Sequence, residues 1–126
     1  MTTTTAWAHL PNAKHIDAVL ADVNTRPEVW DAALDAAWYA AWAAARQAAR
    51  DAARAEAWDA ARQAAWDAAG YAAWYVILAL IAWDSAADLL DLPPDALRVL
   101  VDVAAPPVCH QAALLLPWAV VRESQP

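Results

Sequence analysis

A four-residue repeat occupies the middle of the chain and constrains its fold more than any other feature. From Asp31 to Trp74 the sequence divides into eleven consecutive tetrads, and positions two and three are Ala in every tetrad except the one that holds Glu56. Position one is Asp, Gln, Tyr or Ala, and position four is Trp, Arg, Leu or Gly. Ala, Arg, Gln and Glu are among the strongest helix formers. The repeat therefore predicts a helical segment over residues 26–74.

Few residues in this segment can interrupt a helix. No Pro lies between Glu28 and Trp83, and Gly70 is the single glycine of the 126-residue chain. We expect one long helix from about Arg26 to about Ala69, which at 1.5 Å per residue is about 66 Å long. Gly70 is the position at which that helix can bend.

The tryptophans of the repeat are expected to surround this helix. Four residues advance about 400°, so each tetrad turns the pattern by about 40°. Trp42, Trp58, Trp66 and Trp74 then point in different directions, and the remaining residues are too few to cover them all. The sequence therefore predicts a homo-oligomer in which copies bury one another's tryptophans. The alternative is a tetrad segment that folds back on itself as a hairpin.

The flanking segments also predict helices, so the fold class is all-α, a helical bundle in a single domain over residues 1–126. Residues 1–10 are expected to form a flexible N-terminus. Ile16, Val19, Leu20 and Val23 follow a helical spacing, which predicts an amphipathic helix. Residues 75–126 are expected to form a compact helical C-terminal part, interrupted by two Pro-Pro pairs.

Charge and cysteine content exclude several classes of protein. Eight basic and 15 acidic residues give a net charge of −7, so duplex DNA is not an expected partner. A single cysteine excludes an internal disulfide and fits a cytoplasmic protein. The two longest uncharged stretches, 68–83 and 103–121, are either rich in Ala or interrupted by Pro. A membrane span is therefore not expected.

The Arg and Trp residues of the tetrads are the best candidates for a ligand site. Guanidinium groups bind phosphate or carboxylate through two hydrogen bonds, and indole faces stack on planar rings. Together they favour a small anionic, nucleotide-like ligand, above all where two copies meet. The competing interpretation is that these arginines form ion pairs and the tryptophans form core. The candidate residues are Trp42, Arg46, Arg50, Arg54, Trp58, Arg62 and Trp66.

Acidic residues follow the repeat in a stripe. The spacing of Asp84, Asp88 and Asp91 fits one face of an α-helix. Such a stripe can serve as a docking surface for a basic protein partner, bind a hard cation, or simply be a solvated helix face. Cys109-His110 has no acidic partner at an interpretable spacing. We therefore assign no catalytic residue, metal site or cofactor.

The tetrads resemble a known group of proteins. The strings Asp-Ala-Ala-Trp, Asp-Ala-Ala-Arg and Gln-Ala-Ala-Trp, within residues 31–74, resemble the Ala/Trp/Arg four-residue repeats of small helical proteins encoded by bacteriophages and bacteria. Some of those proteins are labelled immunity proteins of toxin systems. The resemblance implies an inhibitor or sequestering protein in conflict between phage and host, and it carries no residue roles.

Three non-enzymatic functions follow from the sequence. The first is a phage or bacterial counter-defence protein that sequesters a small anionic ligand between tryptophans and arginines. The second is an immunity-type inhibitor of a basic partner, such as a toxin or nuclease, bound through the acidic stripe. The third is a structural protein whose repeat serves only for oligomerisation.

Overall fold

The fold is all-helical in the computed structural model, which describes residues 7–52, 58–70 and 73–123. Within these ranges it does not describe the side chains of residues 36–41, 45, 47–52, 58–61 and 69. The α-helices are α1 (Ala13–Thr25), α2 (Pro27–Ala52), α3 (Trp58–Ala69), α4 (Trp74–Ala82), α5 (Pro94–Val103) and α6 (Val108–Glu123). A 3₁₀ helix, Asp84–Leu89, follows α4. The predicted all-α class is confirmed.

The tetrad repeat contributes all of α2 except its first four residues, all of α3 and the first residue of α4. The helices α2 and α3 fall inside the predicted segment 26–74, and the link between them, 53–57, lies outside the described residues. One continuous helix across that link stays a prediction. Gly70 has a φ of 63°, and its N–H donates to the Trp66 carbonyl at 2.8 Å. This left-handed conformation, which glycine adopts without steric cost, follows the last residue of α3.

The centre of the core is built from the apolar C-terminal helices. Tyr75–Ile81 of α4 is buried throughout, as is Gln111–Pro117 of α6. Helix α6 packs against α2, α4 and α5. Because α4 is apolar on every side, it suits a position enclosed by α1, α2, α3 and α6. Residues 75–81, which open the segment predicted to be helical, are therefore helical as expected.

Trp30 and Trp118, which lie far apart in the sequence, join α2 to α6. Trp30 is fully buried, and its indole ring lies 5.8 Å from that of Trp118, centroid to centroid. Its Nε1 donates to the Asp22 carboxylate at 2.7 Å, while the Trp118 Nε1 donates to the Leu90 carbonyl at 3.2 Å. The buried indole of Trp30 and the partly buried indole of Trp118 thus both keep a hydrogen-bond partner.

Trp7 anchors the first described residues to the body of the protein. Its side chain is fully buried and its Nε1 donates to the Asp17 carboxylate at 3.1 Å. Leu10 is partly buried against the core, whereas Ala8 and His9 are exposed. Burying an indole offsets the entropy lost by ordering a short segment, and the flexibility of residues 1–10 stays a prediction. Residues 1–6 lie outside the described ranges.

Candidate functional site

A surface hollow lies where α3 ends and α4 begins. It has a volume of about 340 Å³ and is lined by Arg62, Gln63, Trp66 and Trp74. The first three residues belong to α3, and Trp74 is the first residue of α4. The hollow therefore combines a guanidinium, an amide and two indoles. Arg62 and Trp66 were predicted ligand residues, and the structure brings them together.

The break at Gly70 creates this arrangement. On an uninterrupted α-helix, Trp66 and Trp74 would be separated by about 12 Å along the axis. In the structure their ring centroids are 5.4 Å apart and their planes meet at 89°. The chain reaches this contact because α3 ends at Ala69 and α4 starts afresh after Gly70.

The indoles of Trp66 and Trp74 form an edge-to-face pair, not two parallel rings with a gap between them. Perpendicular rings in direct contact leave no gap for a third ring between them. A planar ligand can therefore stack on the open part of this pair but cannot be sandwiched by it. Trp66 is 42% exposed, which leaves indole surface available to such a ligand.

Arg62 supplies the positive charge of the hollow. Its side chain is exposed, and the ion pairs found among the described residues, Arg26 with Asp22 and Arg98 with Asp95, do not include it. The neighbouring Gln63 donates from Nε2 to the Asp67 carboxylate at 3.0 Å. One cation thus lies beside the indole pair, ready for a carboxylate or phosphate.

A second pair of predicted ligand residues lies on α2. The Arg46 guanidinium carbon is 4.4 Å from the Trp42 ring centroid, and both side chains are exposed. This is a cation–π contact between residues one helical turn apart. Neither residue lines the hollow at α3 and α4. The structure therefore divides the described members of the predicted set into two groups.

The other predicted ligand residues cannot be located in the site. Arg54 lies outside the described residues, and the side chains of Arg50 and Trp58 are not described. Gln63 and Trp74 also line the hollow and were not among the predicted ligand residues. A signal for Trp74 was available, because it closes the tetrad that directly follows the single glycine.

The acidic stripe has a different geometry from the one expected. Asp84, Asp88 and Asp91 are all exposed, as a docking surface requires. However, Asp84–Leu89 is a 3₁₀ helix, and Asp91 lies in the turn beyond it. With three residues per turn, Asp84 and Asp88 are about 120° apart. The prediction that the three share one α-helical face is therefore wrong.

A cleft of about 280 Å³ adjoins the end of this stripe. Its described lining is Asp91, Pro93, Pro94, Arg122 and Glu123. The Arg122 guanidinium already donates to the Leu90 carbonyl at 2.6 Å. With that donor engaged and two carboxylates nearby, the cleft is a poorer anion site than the hollow at α3 and α4.

Two further features are absent from the described ranges. No cluster of three or more His, Cys, Asp or Glu residues that could hold a metal ion occurs within 7–52, 58–70 and 73–123. No helix in the described part of the chain is long and apolar enough to cross a bilayer.

Comparison with known proteins adds no relative. The chain matches no family model, no curated protein and no solved structure.

Proposed function

We propose that this chain is a non-enzymatic protein that binds and sequesters a small anionic ligand with a planar ring, such as a nucleotide, at the hollow of α3 and α4. The observation that carries the proposal is the presence of Arg62 beside the exposed indole of Trp66 in one hollow. A guanidinium recognises the anionic group and an indole stacks on the ring. The resemblance of the tetrads to repeats in phage and bacterial proteins supports counter-defence as the setting.

The geometry of the hollow also limits the affinity that one chain can have for the ligand. Stacking on a single aromatic side chain contributes about 1–3 kcal/mol, and a hydrogen bond to a charged group about 1.5–3 kcal/mol. Because Trp66 and Trp74 cannot enclose the ligand ring, only one such stack is available. The costs of association offset part of the sum, so we expect a dissociation constant of about 1 mM or weaker for an isolated chain. Efficient sequestration then requires a high protein concentration or a second copy that completes the enclosure.

The test is a calorimetric titration with adenosine 5′-monophosphate as the probe. Arg62→Gln and Trp66→Leu should each weaken binding about tenfold, because each removes one of the two main contacts. Arg98→Gln and Trp42→Leu are the matched controls. Arg98 is another exposed arginine, and Trp42 is 40% exposed against 42% for Trp66. Both controls should bind like the unmodified chain.

The same titrations show which outcomes would contradict the proposal. If the unmodified chain binds neither this probe nor another nucleotide, the proposal is overturned. If Trp42→Leu abolishes binding while Trp66→Leu does not, the ligand is held at the Trp42–Arg46 pair and the hollow is the wrong site.

A second function is supported by the exposed acidic residues. None of Asp84, Asp88 and Asp91 belongs to an ion pair found among the described residues, so their charges are directed to solvent. We propose, as the alternative, an immunity-type inhibitor that docks on a basic toxin or nuclease. Charge reversal by Asp88→Lys with Asp91→Lys should abolish such docking, whereas Asp35→Lys on α2 should have a much smaller effect. Indifference of partner binding to salt and to the double reversal would exclude this alternative.

A further inference from the structure

The amide of Gln63 is held in one orientation by its neighbour on α3. Its Nε2 donates to the Asp67 Oδ1 at 3.0 Å, across one turn of the helix. An ionised carboxylate can only accept hydrogen bonds. The reversed amide would direct Oε1 at the carboxylate, which places two acceptors against each other. Asp67 therefore fixes the orientation of the Gln63 amide, with Nε2 towards the carboxylate and Oε1 away from it.

This orientation determines what Gln63 can offer to a ligand. One of the two Nε2 hydrogens is used by Asp67, so the amide keeps its Oε1 acceptor, which points away from the carboxylate, and one N–H donor. A hydrogen bond to a charged acceptor polarises the amide and strengthens the acceptor at its other end. Gln63 lines the same hollow as Arg62 and the indole pair. The site thus combines a cation, a stacking surface and a hydrogen-bond acceptor.

We infer that the hollow selects planar nitrogen heterocycles that carry an N–H donor, such as an exocyclic amine, together with an anionic group. This inference rests on the proposed function, because it concerns which ring the same site prefers. The Arg62 guanidinium binds the anionic group, the indole surface holds the ring, and the Gln63 Oε1 accepts from the ring's N–H. A ring without a donor keeps the first two contacts and loses the third.

The test compares two ligands that differ in that donor alone. Adenosine 5′-monophosphate carries an exocyclic amine, and purine riboside 5′-monophosphate has the same ring system, ribose and phosphate without it. The unmodified chain should bind the first about fivefold more tightly, the factor expected for one exposed neutral hydrogen bond. Gln63→Leu should bind both ligands equally, with the affinity of the unmodified chain for purine riboside 5′-monophosphate.

Asp67→Asn provides a second, independent variant. The asparagine amide can donate to Gln63 as well as accept from it, so the glutamine is released to turn over. The preference for the aminated ring should fall while the affinity for purine riboside 5′-monophosphate stays within about twofold, as expected for a change outside the ring and phosphate contacts. Because Gln63 and Asp67 are both exposed, circular dichroism should show both variants folded.

The outcomes separate this inference from the proposed function. Equal affinities of the unmodified chain for the two ligands, with binding still dependent on Arg62 and Trp66, would overturn the inference and leave the proposed function intact. A preference that persists in Gln63→Leu would also overturn it, since another group would then read the amine. Binding of neither ligand would overturn both.

Discussion

The side-chain Nδ2 of Asn12 donates to the Leu80 carbonyl at 3.1 Å, across 68 positions of sequence. The same nitrogen is 3.1 Å from the Trp83 carbonyl and 3.2 Å from the Asp84 carbonyl. Asn12 is buried and immediately precedes α1, while these three carbonyls lie at the end of α4 and just beyond it. The Asn12 amide thus caps the Leu80 carbonyl at the end of α4. It adds a second donor to the Trp83 carbonyl, which already accepts from the Ala86 N–H at 3.1 Å.

Replacing Asn12 should destabilise the protein measurably. Asn12→Ala removes the only side-chain donor found at these carbonyls among the described residues, and we expect a loss of about 1–3 kcal/mol in the free energy of unfolding. Urea denaturation followed by tryptophan fluorescence measures it. Asn24→Ala is the matched control, because Asn24 is an exposed asparagine on α1. Equal stability of the two variants would mean that water replaces the amide without loss.

The Asp22 carboxylate should contribute more to stability than a surface carboxylate. It accepts from the Trp30 Nε1 at 2.7 Å and from the Arg26 guanidinium at 2.8 Å. Asp22→Ala leaves a buried indole N–H without its partner, so we expect about 1–3 kcal/mol of destabilisation in urea. Asp35→Ala, at an exposed position of α2, should stay within about 0.5 kcal/mol. A change at Asp22 as small as that at Asp35 would refute the role given to this carboxylate.

Substitutions at Gly70 should follow backbone preference rather than size. A Cβ added at Gly70 would meet no atom within 4 Å, so space is not limiting, but its φ is 63°. Gly70→Ala should therefore cost about 1–2 kcal/mol. Gly70→Asn should cost less in spite of its larger side chain, because asparagine tolerates the left-handed region. Thermal unfolding of the two variants decides the order, and a more stable alanine variant would contradict this explanation.

The chain should self-associate in solution. The repeat predicts a homo-oligomer, and Trp42, Val99 and Val103 leave large apolar side chains exposed, with Val103 at 73%. Sedimentation velocity over a wide range of protein concentration should show a defined oligomer. Trp42→Glu and the double change Val99→Lys with Val103→Lys should identify which surface a second copy covers, with Asp102→Lys as a control on α5. A monomer at every concentration would overturn the prediction.

The all-helical class and the principal interruptions between helices were predictable, because both depend on local properties of the sequence. Ala-rich tetrads favour helix wherever they lie, and Pro94 suits the first turn of α5, where the structure has it. The exposure of individual tryptophans was not predictable. Trp30 is fully buried and Trp42 is 40% exposed, because burial depends on which helix packs alongside, and the repeat does not encode that.

Part of the candidate site was predictable for a similar reason. Arg62 and Trp66 are one turn apart on a helix, a spacing that the sequence shows directly. The contact of Trp66 with Trp74 depends on how the chain turns after α3, and the separation of Trp42 and Arg46 from the hollow depends on tertiary packing. The acidic stripe was misjudged because α-helical spacing was applied to a segment that forms a 3₁₀ helix.

The left-handed glycine has a consequence for how such a repetitive chain reaches one native alignment. A sequence of Ala-paired tetrads can slide by four residues and still present almost the same pattern of Ala, although the residues at positions one and four then change in most tetrads. Since Gly70 is the single residue without a Cβ, a positive φ is cheap at only that position. Gly70 therefore adds a backbone criterion for the native register, which the Ala pairs cannot supply because they recur in ten of the eleven tetrads.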